Sequence, residues 1–252
     1  MFFGPLLNTP LGRAQKVYMT IAQLQTNFYM AVRPQIIKSY AVGAIEEMEK
    51  LFFQSTRLTY YLLLVIVVPL MIETPFVLDL WLKDVPAHTI LFTRLLLFGG
   101  LIDSFGSPLG AVVQATGQNR RYQTGVGLTL LAILPATYVA YKLFHLGAEW
   151  ALYFTIFFSF IAQLVRVNCV RRQTHVDMCR FRREVVAVVI LVTLLSLLLP
   201  ILLHYALPTL PSLLVILVSI LWTALMVFAV GITRSERRHI VQAAGSRLGR
   251  KS

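Results

Sequence analysis

Residues 15–57 read QKVYMTIAQLQTNFYMAVRPQIIKSYAVGAIEEMEKLFFQSTR, and this stretch decides the fold. In a helix, a polar stripe forms at positions i, i+4, i+7 and i+11: Lys16, Thr20, Gln23 and Asn27. The opposite side is apolar, with Val17, Ile21, Leu24, Phe28 and Ala31. We expect the helix to end at residues 33–35, because Pro34 disfavours helical dihedrals at the residue before it. A two-faced helix beside far more apolar segments predicts a membrane bundle that encloses water.

The rest of the chain supports a membrane protein. A shorter amphipathic helix is predicted over residues 39–53, and the sequence after residue 57 is much more apolar. Hydrophobic residues make up 57% of the chain and charged residues 13%, against about 25% charged residues in soluble domains. Several apolar runs reach the length of about 20 residues that a bilayer requires. We therefore predict an all-α membrane bundle with seven transmembrane helices, at 15–34, 57–82, 89–115, 122–144, 150–170, 184–206 and 211–232.

The basic residues predict the orientation of this bundle, which forms a single membrane domain over residues 1–252. Of the 23 lysines and arginines, 18 fall on one side, in the segments 33–57, 120–121, 166–183 and 233–252. Basic residues collect on the cytoplasmic side of membrane proteins, so the tail at 233–252 is expected to be cytoplasmic. The net charge of +12 does not indicate nucleic-acid binding, because the charges lie in short loops. The arginine-rich loop at 171–184 is expected to touch anionic lipid at the cytoplasmic face.

Five polar residues within the spans are candidates for lining a cavity. Thr20, Gln23 and Asn27 carry uncharged groups that can hydrogen-bond sugar hydroxyls without burying a charge. Arg94 and Asp103 are ionisable residues of the third span, and such residues face the bundle interior or water. The alternatives are structural. The stripe can join helices, Arg94 can reach the membrane interface, and Asp103 can hydrogen-bond a neighbouring span.

The third span also carries signals for a bend. Gly106 and Gly110 form a small-xxx-small pair, which permits close helix packing. Pro108 frees a carbonyl one turn earlier, near Ser104, where the helix is expected to kink. Prolines near the middle of several spans favour a protein that bends, as transporters do.

The sequence lacks the common nucleotide-binding and catalytic motifs. There is no phosphate-binding glycine loop with Lys-Ser/Thr, no His-Glu-x-x-His and no Gly-x-Ser-x-Gly. Cys169 and Cys179 lack metal-ligand spacing and are interpreted as reduced bystanders. We therefore expect no enzyme activity, no catalytic residue, no metal site and no cofactor.

Three segments resemble a known family: FFGPLLNTPLGRAQKV at 2–17, NFYMAVRPQIIKSYAVG at 27–43, and PLMIETPFVLDLWLKDVPAHTILFTRLLLFGGLIDSFGSPLGAVVQATGQNRRYQ at 69–123. They resemble the second half of bacterial polysaccharide-export flippases. These are the Wzx-like lipopolysaccharide biosynthesis or O-antigen transporters of the multidrug/oligosaccharidyl-lipid/polysaccharide exporter superfamily. The likeness covers about two thirds of the chain and fades after about residue 170. Family members are longer, so the chain is expected to be the C-terminal half of such a transporter.

The resemblance implies a fold and a function. It implies one lobe of a MATE-like transporter in the bacterial inner membrane, with a missing N-terminal lobe as partner. It also implies translocation of a polyprenyl-diphosphate-linked oligosaccharide, with Gln23, Asn27, Arg94 and Asp103 lining a shared cavity. The alternatives are a drug/cation antiporter of the same superfamily, a membrane-embedded glycosyl- or acyltransferase, and a remnant without activity.

Overall fold

We describe the protein from a computed structural model, which covers residues 8–82, 85–174, 176–206, 210–233 and 236–237. Every regular element within these residues is a helix, in agreement with the predicted all-α class. Most of the predicted basic tail at 233–252 lies outside the described residues.

Eleven α-helices and two π-helical turns make up this part of the chain. The first five helices are α1 (Asn8–Ala41), α2 (Ile45–Ile72), α3 (Thr74–Trp81), α4 (Thr89–Asp103) and α5 (Gly106–Ala115). The next three are α6 (Asn119–Leu131), α7 (Ile133–Leu143) and α8 (Trp150–Gln173). The last segments are α9 (Met178–Phe181), a π-helical turn (Arg182–Val186), α10 (Ala187–Ala206), α11 (Ser212–Met226) and a second π-helical turn (Val227–Gly231).

Helix α1 is longer than the sequence predicts. The expectation that it ends at Pro34 is wrong, because α1 continues through this proline to Ala41. Pro34 lies on the exposed side of the helix, and packing of α1 against α2, α4 and α5 offsets the backbone hydrogen bond that proline cannot donate. The helix ends at Ala41, two residues before Gly43, whose φ of +76° is a left-handed conformation that glycine adopts without steric penalty.

Six helical segments are long and apolar enough to cross a membrane, and they overlap the second to seventh predicted spans. The bounds of the second, 57–82, are wrong, because this segment runs from Ile45 to Ile72 and the separate helix α3 follows it. They are Ile45–Ile72, Thr89–Ala115, Asn119–Leu143, Trp150–Gln173, Met178–Ala206 and Ser212–Gly231. The first predicted span, 15–34, lies in α1, which is helical but is not among these six. The separate amphipathic helix predicted at 39–53 is wrong, because most of these residues form the first turns of α2.

The third span is interrupted near the position where Pro108 predicted a kink. A turn at Ser104–Phe105 separates α4 from α5, one turn before Pro108, and both turn residues keep right-handed helical dihedrals. Side chains of neighbouring helices bond to backbone carbonyls beside this turn. Gln163 Nε2 of α8 donates to the Ile102 carbonyl at 3.0 Å, and Tyr122 Oη of α6 to the Gly106 carbonyl at 3.4 Å. These bonds tie α6 and α8 to the interruption.

Helices α2 and α4–α5 are the most buried and form the centre of the bundle. Helix α1 packs on α2, α4 and α5, α8 joins α4 and α5 to α6 and α7, and α10 and α11 pack on the other side of α2. The outer faces of α6–α8, α10 and α11 expose large apolar side chains such as Leu128, Phe157, Leu194 and Leu221. Apolar side chains in these positions suit contact with lipid.

Candidate functional site

An apolar groove runs between α8 and α10, with α2 and α4–α5 as its floor. Its volume is about 700 Å³, and it is lined by the side chains of Leu64, Phe98, Phe105, Leu197 and others of the same apolar kind. On α10 the lining extends from just after the first π-helical turn to Tyr205. We name its two ends after the arginines that mark them, Arg94 and Arg57.

Polar groups gather at the Arg94 end of the groove. Arg94 Nε donates to Thr74 Oγ1 and Arg94 Nη2 to the Ile72 carbonyl, both at 3.3 Å. Glu73 lies between these two partners in the chain and is buried, but its Oε1 is 2.9 Å from Nδ1 of His204. Arg94 is partly buried, whereas the side chain of His204 is 46% exposed, so this end is open at its edge.

The middle of the groove carries two polar contacts. Tyr60 of α2 and Thr193 of α10 join their hydroxyl groups at 2.9 Å. Gln163 Nε2 of α8 donates to the Ile102 carbonyl beside the turn in the third span. Its Oε1 is buried and has no hydrogen-bond partner among the described residues. Apart from these groups the middle of the groove is apolar.

Aromatic rings close the Arg57 end. Phe181, which lines the groove, stacks on Phe52 with ring centroids 5.1 Å apart and an interplanar angle of 3°. Phe53 packs at an angle against both rings, with Arg180 over its face at 5.7 Å. Phe52 and Phe181 are almost completely buried, so the cluster seals this end from solvent.

A network of charged side chains lies outside this aromatic cluster. Arg57 is buried, and its Nη2 pairs with Glu236 Oε1 at 2.7 Å while its Nη1 donates to the Glu184 carbonyl at 3.1 Å. Arg180 Nε pairs with the Glu184 carboxylate at 2.9 Å, and Arg180 Nη1 with Glu49 at 3.4 Å. The network joins α2 to α9, to the π-helical turn at 182–186 and to the segment after α11.

The polar stripe of α1 lies on a different surface. Thr20, Gln23 and Asn27 are exposed, as is Lys16 one turn earlier. Gln23 Nε2 donates to Asn27 Oδ1 at 2.9 Å, and Thr20 Oγ1 to the Lys16 carbonyl at 3.0 Å, so the bonds found for these groups stay within the helix. The described later helices therefore leave all three side chains uncovered.

Asp103 lies neither in the groove nor on the polar stripe of α1. Its carboxylate interacts with Ser159 and Arg166 of α8, on the side of α4 away from the groove. Arg166 packs so closely over Gly106 that a Cβ there would lie 2.7 Å from its Nη1. Contact with a neighbouring span is the structural alternative that the sequence left open for Asp103.

The described structure therefore separates the five candidate residues. Arg94 lines the groove, Thr20, Gln23 and Asn27 occupy the outer face of α1, and Asp103 is at the α4–α8 interface. Sequence reasoning missed Arg57, which it treated as a loop charge, and the pairing of Glu73 with His204. The only sequence signal for Arg57 is its position beside an apolar run, which is too general to predict a buried ion pair.

Comparison of the chain with protein-family models gives no match, and comparisons with curated proteins and with solved structures give none either. Support for a function therefore comes from the residues and geometry described above.

Proposed function

We propose that this chain is one lobe of a flippase that moves a lipid-linked oligosaccharide across the bacterial inner membrane. The exposed polar stripe of α1 is the observation that carries the proposal. It extends from Lys16 to Asn27, 11 residues or about 16 Å along the helix. Amide and hydroxyl groups in hydrocarbon lack the partners that water supplies, so this face requires a wet cavity or a partner protein.

In this proposal α1 is a further membrane-crossing helix beside the six apolar ones, and its polar face lines a cavity shared with a second lobe. Amides and hydroxyls suit the hydroxyl groups of a glycan, and Lys16 adds a positive charge at the same face. The resemblance of residues 2–17, 27–43 and 69–123 to polysaccharide flippases supports the same assignment. The C-terminus is then cytoplasmic, as the positions of the basic residues predict.

The position of the carboxylates favours a glycan flippase over a cation antiporter. An antiporter for cations requires an acidic group on its cavity wall. Asp103 faces Arg166 and Ser159, and Glu73 pairs with His204 in the groove, so neither carboxylate lies on the α1 stripe.

Cysteine labelling in native membranes tests whether the stripe is wet. Cys169 and Cys179 are first replaced by serine, and single cysteines are placed at Gln23 or Asn27. The matched controls are Leu128→Cys and Leu221→Cys, on exposed apolar faces of other helices. A hydrophilic maleimide should label the stripe positions at least tenfold faster than the controls. Equal rates at Asn27 and Leu221 would contradict a water-lined face.

A complementation experiment tests the transport itself. Expressed alone in a flippase-deficient host, the chain should not restore surface polysaccharide, because alternating access requires two lobes around one site. Joined to the N-terminal lobe of a polysaccharide flippase, it should restore export. The double variant Gln23→Leu/Asn27→Leu should then lose most of that export at equal protein level, whereas Leu128→Ala should retain it. Full export by the double variant would exclude the stripe from the substrate path.

A further inference from the structure

Arg94 is a cation with no charged partner among the residues that the structure describes. Its two hydrogen bonds, both 3.3 Å long, go to an uncharged hydroxyl and a backbone carbonyl. Among the described residues, no carboxylate forms an ion pair with it. The neighbouring Glu73 carboxylate is engaged by His204. An arginine in a membrane span ordinarily contacts an anion or water, so the guanidinium group of Arg94 can bind an anionic group.

The position of Arg94 near the start of α4 suits contact with a lipid phosphate. It lies five residues after Thr89, the first residue of α4, which is about 7.5 Å along the helix axis. A long arginine side chain so near a helix end reaches the headgroup region. His204 and Tyr205 line the same end of the groove and are both exposed, which places two further polar side chains at this level.

The shape of the groove fits a hydrocarbon chain. From Val186, the last residue of the first π-helical turn, its lining extends along α10 to Tyr205, 19 residues or about 28 Å. Most of the side chains along this length are apolar, and the cation Arg94 lies at one end. A long apolar groove with a cation at one end suits an amphiphile with an anionic head and an extended hydrocarbon chain.

We propose that the groove is a phospholipid site, with the lipid phosphate on Arg94 and one acyl chain along Leu64, Phe105 and Leu197. Phospholipids are the phosphate-bearing amphiphiles that the surrounding bilayer supplies. Guanidinium groups bind phosphate through charge-assisted hydrogen bonds. The second acyl chain stays outside the groove against exposed side chains that do not line it, such as Leu194 and Leu198. The bound lipid fills a space that α8 and α10 do not close by direct packing.

This site is independent of the proposed function, because it uses no residue of the α1 stripe. Stripe labelling and lipid retention can therefore fail separately. Loss of one result leaves the other standing.

Native mass spectrometry of the purified full chain tests the site. The protein is delipidated in detergent and titrated with dioleoylphosphatidylglycerol. Arg94→Gln should weaken retention by about tenfold or more, since a hydrogen bond to a charged group contributes that much. Arg94→Lys should retain an intermediate affinity, because it keeps the charge and loses the planar fork. The control Arg120→Gln removes an exposed arginine far from the groove and should change nothing. Equal retention by Arg94→Gln and the original chain would overturn the proposal.

Two matched tryptophan variants test the part of the site that holds the acyl chain. Ile201 lines the groove, whereas its neighbour Leu202 does not, and both are exposed positions of α10 that tolerate a larger side chain. Ile201→Trp should reduce lipid retention, and Leu202→Trp should leave it unchanged. Equal effects would show that the lipid binds elsewhere.

Further ligands identify the source of the phosphate. Dioleoylglycerol, which lacks phosphate, should bind the original chain no better than phosphatidylglycerol binds Arg94→Gln. Inorganic phosphate should not compete, because the acyl chain contributes much of the affinity. Undecaprenyl phosphate retained in preference to phosphatidylglycerol would contradict the phospholipid assignment and make the groove a site for the transported lipid.

Discussion

The two ends of the groove are built differently. At the Arg57 end, three phenylalanine rings pack together beneath a buried ion pair and a network of charged side chains. At the Arg94 end, an arginine makes two long hydrogen bonds, and a carboxylate pairs with a half-exposed histidine. Buried, fully paired charges fix one arrangement of helices, while exposed and loosely bonded ones do not. We therefore expect the helices to be held more firmly at the Arg57 end than at the Arg94 end.

The largest effect is expected from breaking the Arg57 end. Glu236→Gln leaves a buried arginine without its counter-charge, which destabilises a protein by about 3–5 kcal/mol. Reversible unfolding in mixed detergent micelles measures this loss. The variant Arg57→Met/Glu236→Gln should recover part of it, because no buried charge then remains unpaired. A loss below about 1 kcal/mol for Glu236→Gln would show that water already reaches the pair.

A smaller effect is expected where the second π-helical turn meets α2. A Cβ on Gly231 would lie 2.7 Å from the ring of Tyr61, which is itself buried. Gly231→Ala should therefore lower the free energy of unfolding by about 1–3 kcal/mol, the usual range for overpacking. Gly127 has no atom within 4 Å of its added Cβ, so Gly127→Ala is the control and should be neutral or stabilising. Two equally neutral variants would mean that Tyr61 moves aside freely.

The smallest effect is expected at the Arg94 end. Glu73→Gln removes the charge that faces His204, but the histidine side chain is 46% exposed, so we expect the pair to contribute only about 1 kcal/mol. Thermal unfolding in detergent should shift by only a few degrees. His204→Gln should behave alike, because a glutamine side chain can still donate a hydrogen bond to the buried Glu73 carboxylate. A Glu73→Gln effect as large as that of Glu236→Gln would remove the difference between the two ends.

Local patterns in the sequence predicted local features of the fold. The spacing of Thr20, Gln23 and Asn27 predicted a polar face, and the three side chains are exposed together. Pro108 predicted a kink near Ser104, and the helix is interrupted by a turn at Ser104–Phe105. The prediction failed at Pro34, because tertiary packing on both sides of the proline outweighs its local preference.

Long-range pairing accounts for most of what sequence reasoning missed at the candidate site. Glu73 and His204 are 131 residues apart, and Arg57 and Glu236 are 179 apart. No spacing rule connects such positions, since their contact depends on how six spans are arranged. The groove itself is a gap between α8 and α10, which only the packing of both helices against α2 and α4 produces.

At the Arg57 end, the extra residue in each π-helical turn sets the direction in which the following segment leaves the helix. A π-helical turn holds one more residue than an α-helical turn of similar length, so it behaves as a one-residue insertion. Its removal would rotate everything after it by about 100°, the angle of one helical position. After the turn at Val227–Gly231, the chain leads to Glu236, whose carboxylate meets Arg57. The number of residues in this short segment therefore decides whether Glu236 reaches Arg57, even if the chemistry of those residues is unchanged.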